Sequence, residues 1–187
     1  MTVVAVDVGG TTMKGAIVGA DGAACALLRR PTPHGQGPDA VVDAVGATLG
    51  ELLEDARRRG LEVAAAGVVV PGIVDEARGV AVFSANLGWR DLPLRALLEA
   101  RTGLPVGFGH DARAGALAEA TLGAARGERD VLFVPVGAGI AGAAIVDGRL
   151  LLAGGYAGEV GHLQVDPAGE PCGCGGRGCV ETVASGP

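Results

Sequence analysis

Residues 6–22 read VDVGGTTMKGAIVGADG, and residues 134–148 read VPVGAGIAGAAIVDG. Each is an apolar run, a glycine turn, a second apolar run and a polar turn. Val3–Val8 is rich in β-branched residues and ends in Asp7-Val8-Gly9-Gly10-Thr11-Thr12, which reads as a buried strand entering a tight turn. Gly15–Val18 and Ala23–Leu28 alternate about Gly19-Ala20-Asp21-Gly22, which predicts a hairpin continuing the sheet. Glycine amides and threonine hydroxyls at a strand end suit phosphate oxygens. Asp7 is more specific, because a carboxylate at the end of a buried strand is costly without a partner such as a metal-bound phosphate. The two stretches form a weak internal repeat.

Between the two hairpins the periodicity alternates. Asp39–Arg59 carries apolar residues at 41, 42, 45, 49, 52, 53 and 56, the spacing of an amphipathic helix stopped by Gly60. Val63–Val70 is a second buried strand, halted by Pro71-Gly72, and Val80–Phe83 a short one. Ser84–Arg90 reads as a loop holding the only Trp, and Asp91 as the N-cap of a helix reaching Thr102. Pro105–Phe108 is predicted as a strand, Asp111 as the start of the helix DARAGALAEATLG, and Val131–Val136 and Gly142–Val146 as further strands. Asp111 follows a strand and begins a helix, a position that suits a plain N-cap and an ionised functional carboxylate alike.

Gly158–Glu181 reads GEVGHLQVDPAGEPCGCGGRGCVE. Cys172, Cys174 and Cys179 with His162 make a complete tetrahedral zinc set of the closed, structural kind. The intervening glycines let a short loop wrap a metal, and clustered Cys and His without a secretory signal favour metal over disulfide. Glu159 and Glu181 bracket the cluster. Cys25 is left over and is expected to be a small core residue.

Composition bounds the rest. Across 187 residues the net charge of −6 argues against a nucleic-acid footprint or an anionic-membrane surface; Lys14 is the only lysine, a bias of composition rather than of function. Met1 leads directly into the first strand, and no apolar run is long enough to span a bilayer, so a cytoplasmic protein is expected.

GEVGH followed by CGCGGRGCVE resembles the signature of the ROK family (repressors, open reading frames and sugar kinases), especially its bacterial glucokinases. Duplicated glycine hairpins are likewise what the actin-like, hexokinase-like (ribonuclease H-like) α/β fold looks like, with nucleotide phosphates between them. The resemblance implies a first actin-like domain over residues 1–112 and the start of a second, carrying the zinc motif, over 113–187. It implies phosphoryl transfer from ATP with Mg²⁺ to a hexose, glucose being the expected one, and a homodimer or larger homo-oligomer. A sugar hydroxyl attacks ATP only when a carboxylate accepts its proton and the γ-phosphoryl is held in line.

By the same resemblance Asp111 is the base. Gly72, Asn86, His110, Asp111, Glu159, His162 and Glu181 form the sugar set, with Pro71–Asp75 as the loop beneath it. Asp7, Gly9, Gly10, Thr11, Thr12 and Lys14, with Gly137, Ala138 and Gly139, serve the nucleotide phosphates. His162 would give one ring nitrogen to zinc and keep the other as a donor. Asn86 and Asp75 read equally well as polar loop residues.

The pattern also departs from the family. His110 stands where Asn is usual, Ala138 where Thr is common, and Thr12-Met13 where Lys is often found. Family members continue beyond Ser185-Gly186-Pro187, so a truncated kinase with its sugar half intact is expected. The rivals are a sugar-sensing regulator of the same family without its DNA-binding domain, an N-acetylhexosamine or mannose kinase, and an inactive fragment.

Overall fold

The computed structural model describes residues 1–186. The chain divides into two compact units, Met1–Asp111 and the residues from Ala112 onward.

In the first unit, β1 (Thr2–Val8), β2 (Thr12–Val18) and β3 (Ala24–Pro31) form an antiparallel meander. Helix α1 (Pro38–Arg58) then crosses over to β4 (Val63–Val70), which pairs parallel to β1. A second crossover through α2 (Leu94–Thr102) brings β8 (Val106–His110) parallel to β4. The sheet order is therefore β3-β2-β1-β4-β8. A separate antiparallel sheet, β5 (Ile73–Asp75), β6 (Val80–Ser84) and β7 (Trp89–Leu92), is inserted between β4 and α2.

The periodicity that predicted α1 is the one it uses: Val41, Val42, Val45, Leu49, Leu52 and Ala56 are buried against Val4, Val6, Met13 and Ile17. The helix ends in a Schellman motif, with Leu61 N–H donating to the Ala56 carbonyl and Gly60 N–H to that of Arg57. Gly60 takes the left-handed conformation this motif requires, at φ +68°.

Three expectations are corrected here. Asp91 does not cap a helix: it lies in β7 at φ 48°, and α2 starts only at Leu94, after Pro93. The residue before a proline is pushed out of the helical region, so Leu92-Pro93 delays the start. The stretch 84–90 is not all loop, because Trp89 and Arg90 open β7. Trp89 is buried, and its Nε1–H donates to the Pro38 carbonyl at 3.1 Å. Cys25 is exposed, not in the core, since β3 is the edge strand and Cys25 lies on its outer side.

In the second unit, helix α3 (Asp111–Leu122) precedes β9 (Val131–Phe133), β10 (Ala143–Val146) and β11 (Arg149–Leu150). These strands repeat the antiparallel meander of β1-β2-β3. Strand β9 stops earlier than the sequence suggested because Pro135 lacks an amide for the ladder, leaving only a bridge between Val136 and Ile140. Gly115 lets α3 come close to β9: a Cβ there would meet the Phe133 ring at 2.7 Å. The core of this unit is small, built on Ala112, Ala116, Ala143 and Ile145. Leu132, Val134, Val136, Leu151, Leu152 and Leu163 remain exposed. The short helix α4 (Val180–Ala184) follows the cysteine cluster.

Candidate functional sites

In the first unit the turn after β1 is braced from behind. Gly9 N–H donates to the Thr12 carbonyl at 3.0 Å, and the Thr32 hydroxyl donates to the Gly9 carbonyl at 2.7 Å. Thr32 N–H donates to the Thr11 carbonyl. These bonds fix the backbone of Gly9, Gly10, Thr11 and Thr12. A Cβ on Gly10 would stand 3.4 Å from that of Asn86, so the structure brings the glycine turn and the predicted sugar-reading amide side by side.

Asp7 is the penultimate residue of β1, and Lys14 sits opposite it on β2 with Nζ 3.5 Å from Oδ2. Burial pushes the Asp7 carboxyl above its ordinary range, the Lys14 ammonium pulls it back, and the Asp111 carboxylate pushes it up again. Lys14 and Asp111 are thus both within electrostatic reach of Asp7. His110, buried at the end of β8, places Nδ1 3.3 Å from Asp111 Oδ1, and its backbone N–H donates to Glu76 Oε1 at 3.3 Å.

Gly72 has a steric role the sequence did not reveal. At φ +103° a Cβ would lie 2.3 Å from the Phe83 carbonyl oxygen, so only glycine lets the chain enter β5 so close to β6; the expected 71–75 loop is a loop only at Pro71-Gly72, since 73–75 pair as strand. Asp75 serves its own turn, accepting the Arg78 amide at 3.0 Å. Glu76 was missed by sequence reasoning; its only signal was its place after the predicted Pro-Gly loop.

In the second unit, ligand atoms of His162, Cys172, Cys174 and Cys179 all lie within 4.8 Å of one another. Four donors at tetrahedral zinc, with bonds of about 2.0–2.3 Å, stand about 3.3–3.8 Å apart. Cys174 and Cys179 sulfurs are 3.8 Å apart, and Cys172 Sγ is 3.6 Å from His162 Nδ1. The donor set and its spacing fit such a cation. The imidazole is oriented as a ligand should be, with Nδ1 toward the sulfurs and Nε2 3.7 Å from Glu159 Oε2. Glu181 stands behind the cluster, its Oε1 3.1 Å from Cys172 Sγ and 3.4 Å from His162 Nδ1. Burial pushes the Cys172 thiol up to about 12, with the Glu181 carboxylate adding to the shift; the Gly176 amide draws the Cys174 thiol down.

Gly137, Ala138 and Gly139 form the second glycine turn, closed by Gly137 N–H on the Gly139 carbonyl at 2.9 Å. Arg113, also missed by sequence reasoning, is 1% exposed and donates from Nη1 to the carbonyls of Gly155 at 3.3 Å and Ala157 at 3.5 Å. Its signal was an arginine in the first turn of a helix otherwise built of small residues.

These two arrangements belong to a known class of proteins. The ROK family profile matches residues 3–187, and the chain is a member of that family. It is 36% identical over 184 residues to a glucokinase of Streptomyces coelicolor, covering 98% of this chain and 56% of the relative. It is 39% identical over 189 residues to an N-acetylmannosamine kinase of Shigella flexneri, covering 62% of that protein. The crystal structure of a ROK family glucokinase from Streptomyces griseus in complex with glucose and AMPPNP superposes with a TM-score of 0.90 at 35% identity. That match covers 99% of this chain and 57% of the solved one. The actin-like, hexokinase-like α/β fold expected from the sequence is the fold the chain has. The chain spans little more than half the length of these relatives. Among the described residues no helix is long and apolar enough to cross a membrane.

Proposed function

We propose that this chain is the base-carrying and sugar-reading part of a ROK sugar kinase that transfers the γ-phosphoryl of ATP to a hexose, glucose first, giving the 6-phosphate. The observation that carries the reading is Asp111 at the β8–α3 junction, beside buried His110 and within electrostatic reach of Asp7. A carboxylate there takes the proton of the attacking hydroxyl as its oxygen forms the bond to phosphorus and ADP departs. Gly72, Asn86, His110, Glu159, His162 and Glu181 read the hydroxyls by paired donors and acceptors. The turns Gly9–Thr12 and Gly137–Gly139 offer amides to phosphate oxygens, and Asp7 and Lys14 complete the charge around ATP and its Mg²⁺.

His162, through Nδ1, and the three thiolates hold one zinc, whose contribution is structural: it fixes the imidazole tautomer so that Nε2 faces away from the metal as a donor. The likeness to an N-acetylmannosamine kinase supports a second reading, an N-acetylated hexosamine as acceptor. The test is a coupled assay in a protein of the relatives' full length that carries residues 1–187. Glucose is expected to give the highest kcat/KM among glucose, mannose and N-acetylmannosamine. Binding of a hexose with no phosphorylation of any of them overturns the kinase in favour of a sugar sensor. The 187-residue chain alone is expected to bind hexose weakly without turnover, because transfer of this kind depends on holding the nucleotide in place.

A further inference from the structure

Glu181 has two carboxylate oxygens facing different partners. Oε1 lies against the cluster, 3.1 Å from Cys172 Sγ and 3.4 Å from His162 Nδ1. Oε2 lies against the second glycine turn, 2.9 Å from where a Cβ on Gly139 would stand. The segment that carries the metal ligands clasps the same turn elsewhere. Gly142 N–H donates to the Gly158 carbonyl at 2.6 Å, and Gly186 N–H, just past α4, to the Gly137 carbonyl at 2.7 Å. Gly161 packs so closely on Ile140 that a Cβ would fall 2.0 Å from its carbonyl oxygen. Thus residues 158–186 hold the backbone of 137–142 at several points along its length. The unit's apolar core contains none of them; the stretch 163–179 is held instead by two isolated bridges, Gln164 with Cys179 and Pro171 with Arg177, and by short-range bonds among its own residues, such as Val165 N–H to the Gly178 carbonyl and Gly178 N–H to the Glu170 carbonyl.

We propose that Glu181 is a positioning residue joining the metal cluster to the Gly137–Gly142 turn, so that metal occupancy sets the order of that turn. This rests on the reading of His162, Cys172, Cys174 and Cys179 as a metal site, and it adds a consequence at a distance from the ligands. A cation pins the ligands, the pinned ligands fix α4 and Glu181, and Glu181 with the Gly158 and Gly186 contacts fixes the amides of the turn. Local order of this kind is read by amide exchange, whose protection follows the free energy of local opening.

The experiment compares the zinc-loaded and chelator-treated chain by hydrogen exchange, with the amides of β1 and β4 as the control for folding. Metal removal is expected to speed exchange at 137–142 by about tenfold or more while β1 and β4 hold. Glu181→Ala is expected to keep one zinc per chain, and the cobalt-loaded form to keep its thiolate charge-transfer bands, yet to lose about fivefold in protection at 137–142 with 172–179 unchanged. Glu181→Gln, which keeps the shape, is expected to restore most of that protection. Zinc uptake with no change at 137–142 overturns the inference and leaves the metal site standing. A wild-type chain that takes up no zinc overturns both. Loss of zinc in Glu181→Ala places Glu181 in the cluster itself and overturns its role as the link.

Discussion

Nδ1 of His110 stands 3.3 Å from Oδ1 of Asp111, across the junction where β8 ends and α3 begins. The imidazole is buried, and the carboxylate sits at the helix start, where the dipole favours its ionised form. Asp111→Asn therefore keeps the shape and part of the ground-state contact while removing the proton acceptor. In the full-length protein kcat is expected to fall by about 10²–10⁴-fold, with sugar affinity within about tenfold of wild type. Steady-state kinetics beside calorimetric sugar binding checks this; a kcat near wild type removes Asp111 from the role of base.

The cysteine cluster leads to a stoichiometry. Purified chain is expected to hold one zinc, and Cys174→Ser to lose most of it, since replacing one thiolate of four breaks a closed set. Metal analysis of the two proteins decides the matter. Because the energy of binding a structural metal is folding energy, a chelator is also expected to expose the 159–181 segment to protease. Unchanged zinc in Cys174→Ser sinks this assignment.

Asp7 gives a pH dependence with a definite sign. Its folded-state pKa is raised, burial outweighing the pull of Lys14. A carboxyl raised on folding contributes stability that is fully present below its unfolded value of 3.8 and is lost as pH rises through the folded value. Asp7→Asn is therefore expected to raise the urea midpoint at pH 7 and to bring no such gain at pH 3. Equal effects at both pH values would show that the charge is not the cause.

Arg113 is buried with carbonyls as partners, and its removal strands them. Arg113→Met is expected to destabilise the second unit by about 1–3 kcal/mol in urea unfolding, the cost of leaving buried acceptors unpaired. Arg113→Lys is expected to recover little, because an ammonium is more strongly hydrated than a guanidinium and so costs more to bury beside the carbonyls of Gly155 and Ala157. Full recovery with Lys would show that charge alone suffices at this position.

The parts of the fold that sequence revealed are those whose signals are local. Helix α1 was legible because 41, 42, 45, 49, 52 and 56 all point one way and all are buried, and the β2–β3 hairpin because Gly19–Gly22 states its own turn. The gathering of His162, Cys172, Cys174 and Cys179 was legible because the four lie within eighteen residues, where spacing is itself geometry. Strands β5 and β7 were not legible. They have three and four residues, and their pairing with β6 is tertiary. Asp91 looked like a cap because the signal for a cap is one polar side chain, while the true start was dictated by Pro93 two residues on. Glu76 lies 34 positions from His110, and no periodicity reports a bond of that span.

The order of the first sheet carries a consequence for how the protein is made. Its meander β3-β2-β1 is local, yet β1 must wait for β4, and β4 for β8, whose last residue is His110. On the ribosome the growing chain therefore has one unpaired parallel edge after another until about residue 110, and long-range parallel pairing is slow. Asp111 follows β8 directly in the chain, so it emerges immediately after the strand that completes the sheet. The carboxylate assigned to chemistry thus leaves the exit tunnel only once the strand beneath it has been synthesised, and a nascent chain stalled before β8 presents an open edge to chaperones or to its neighbours.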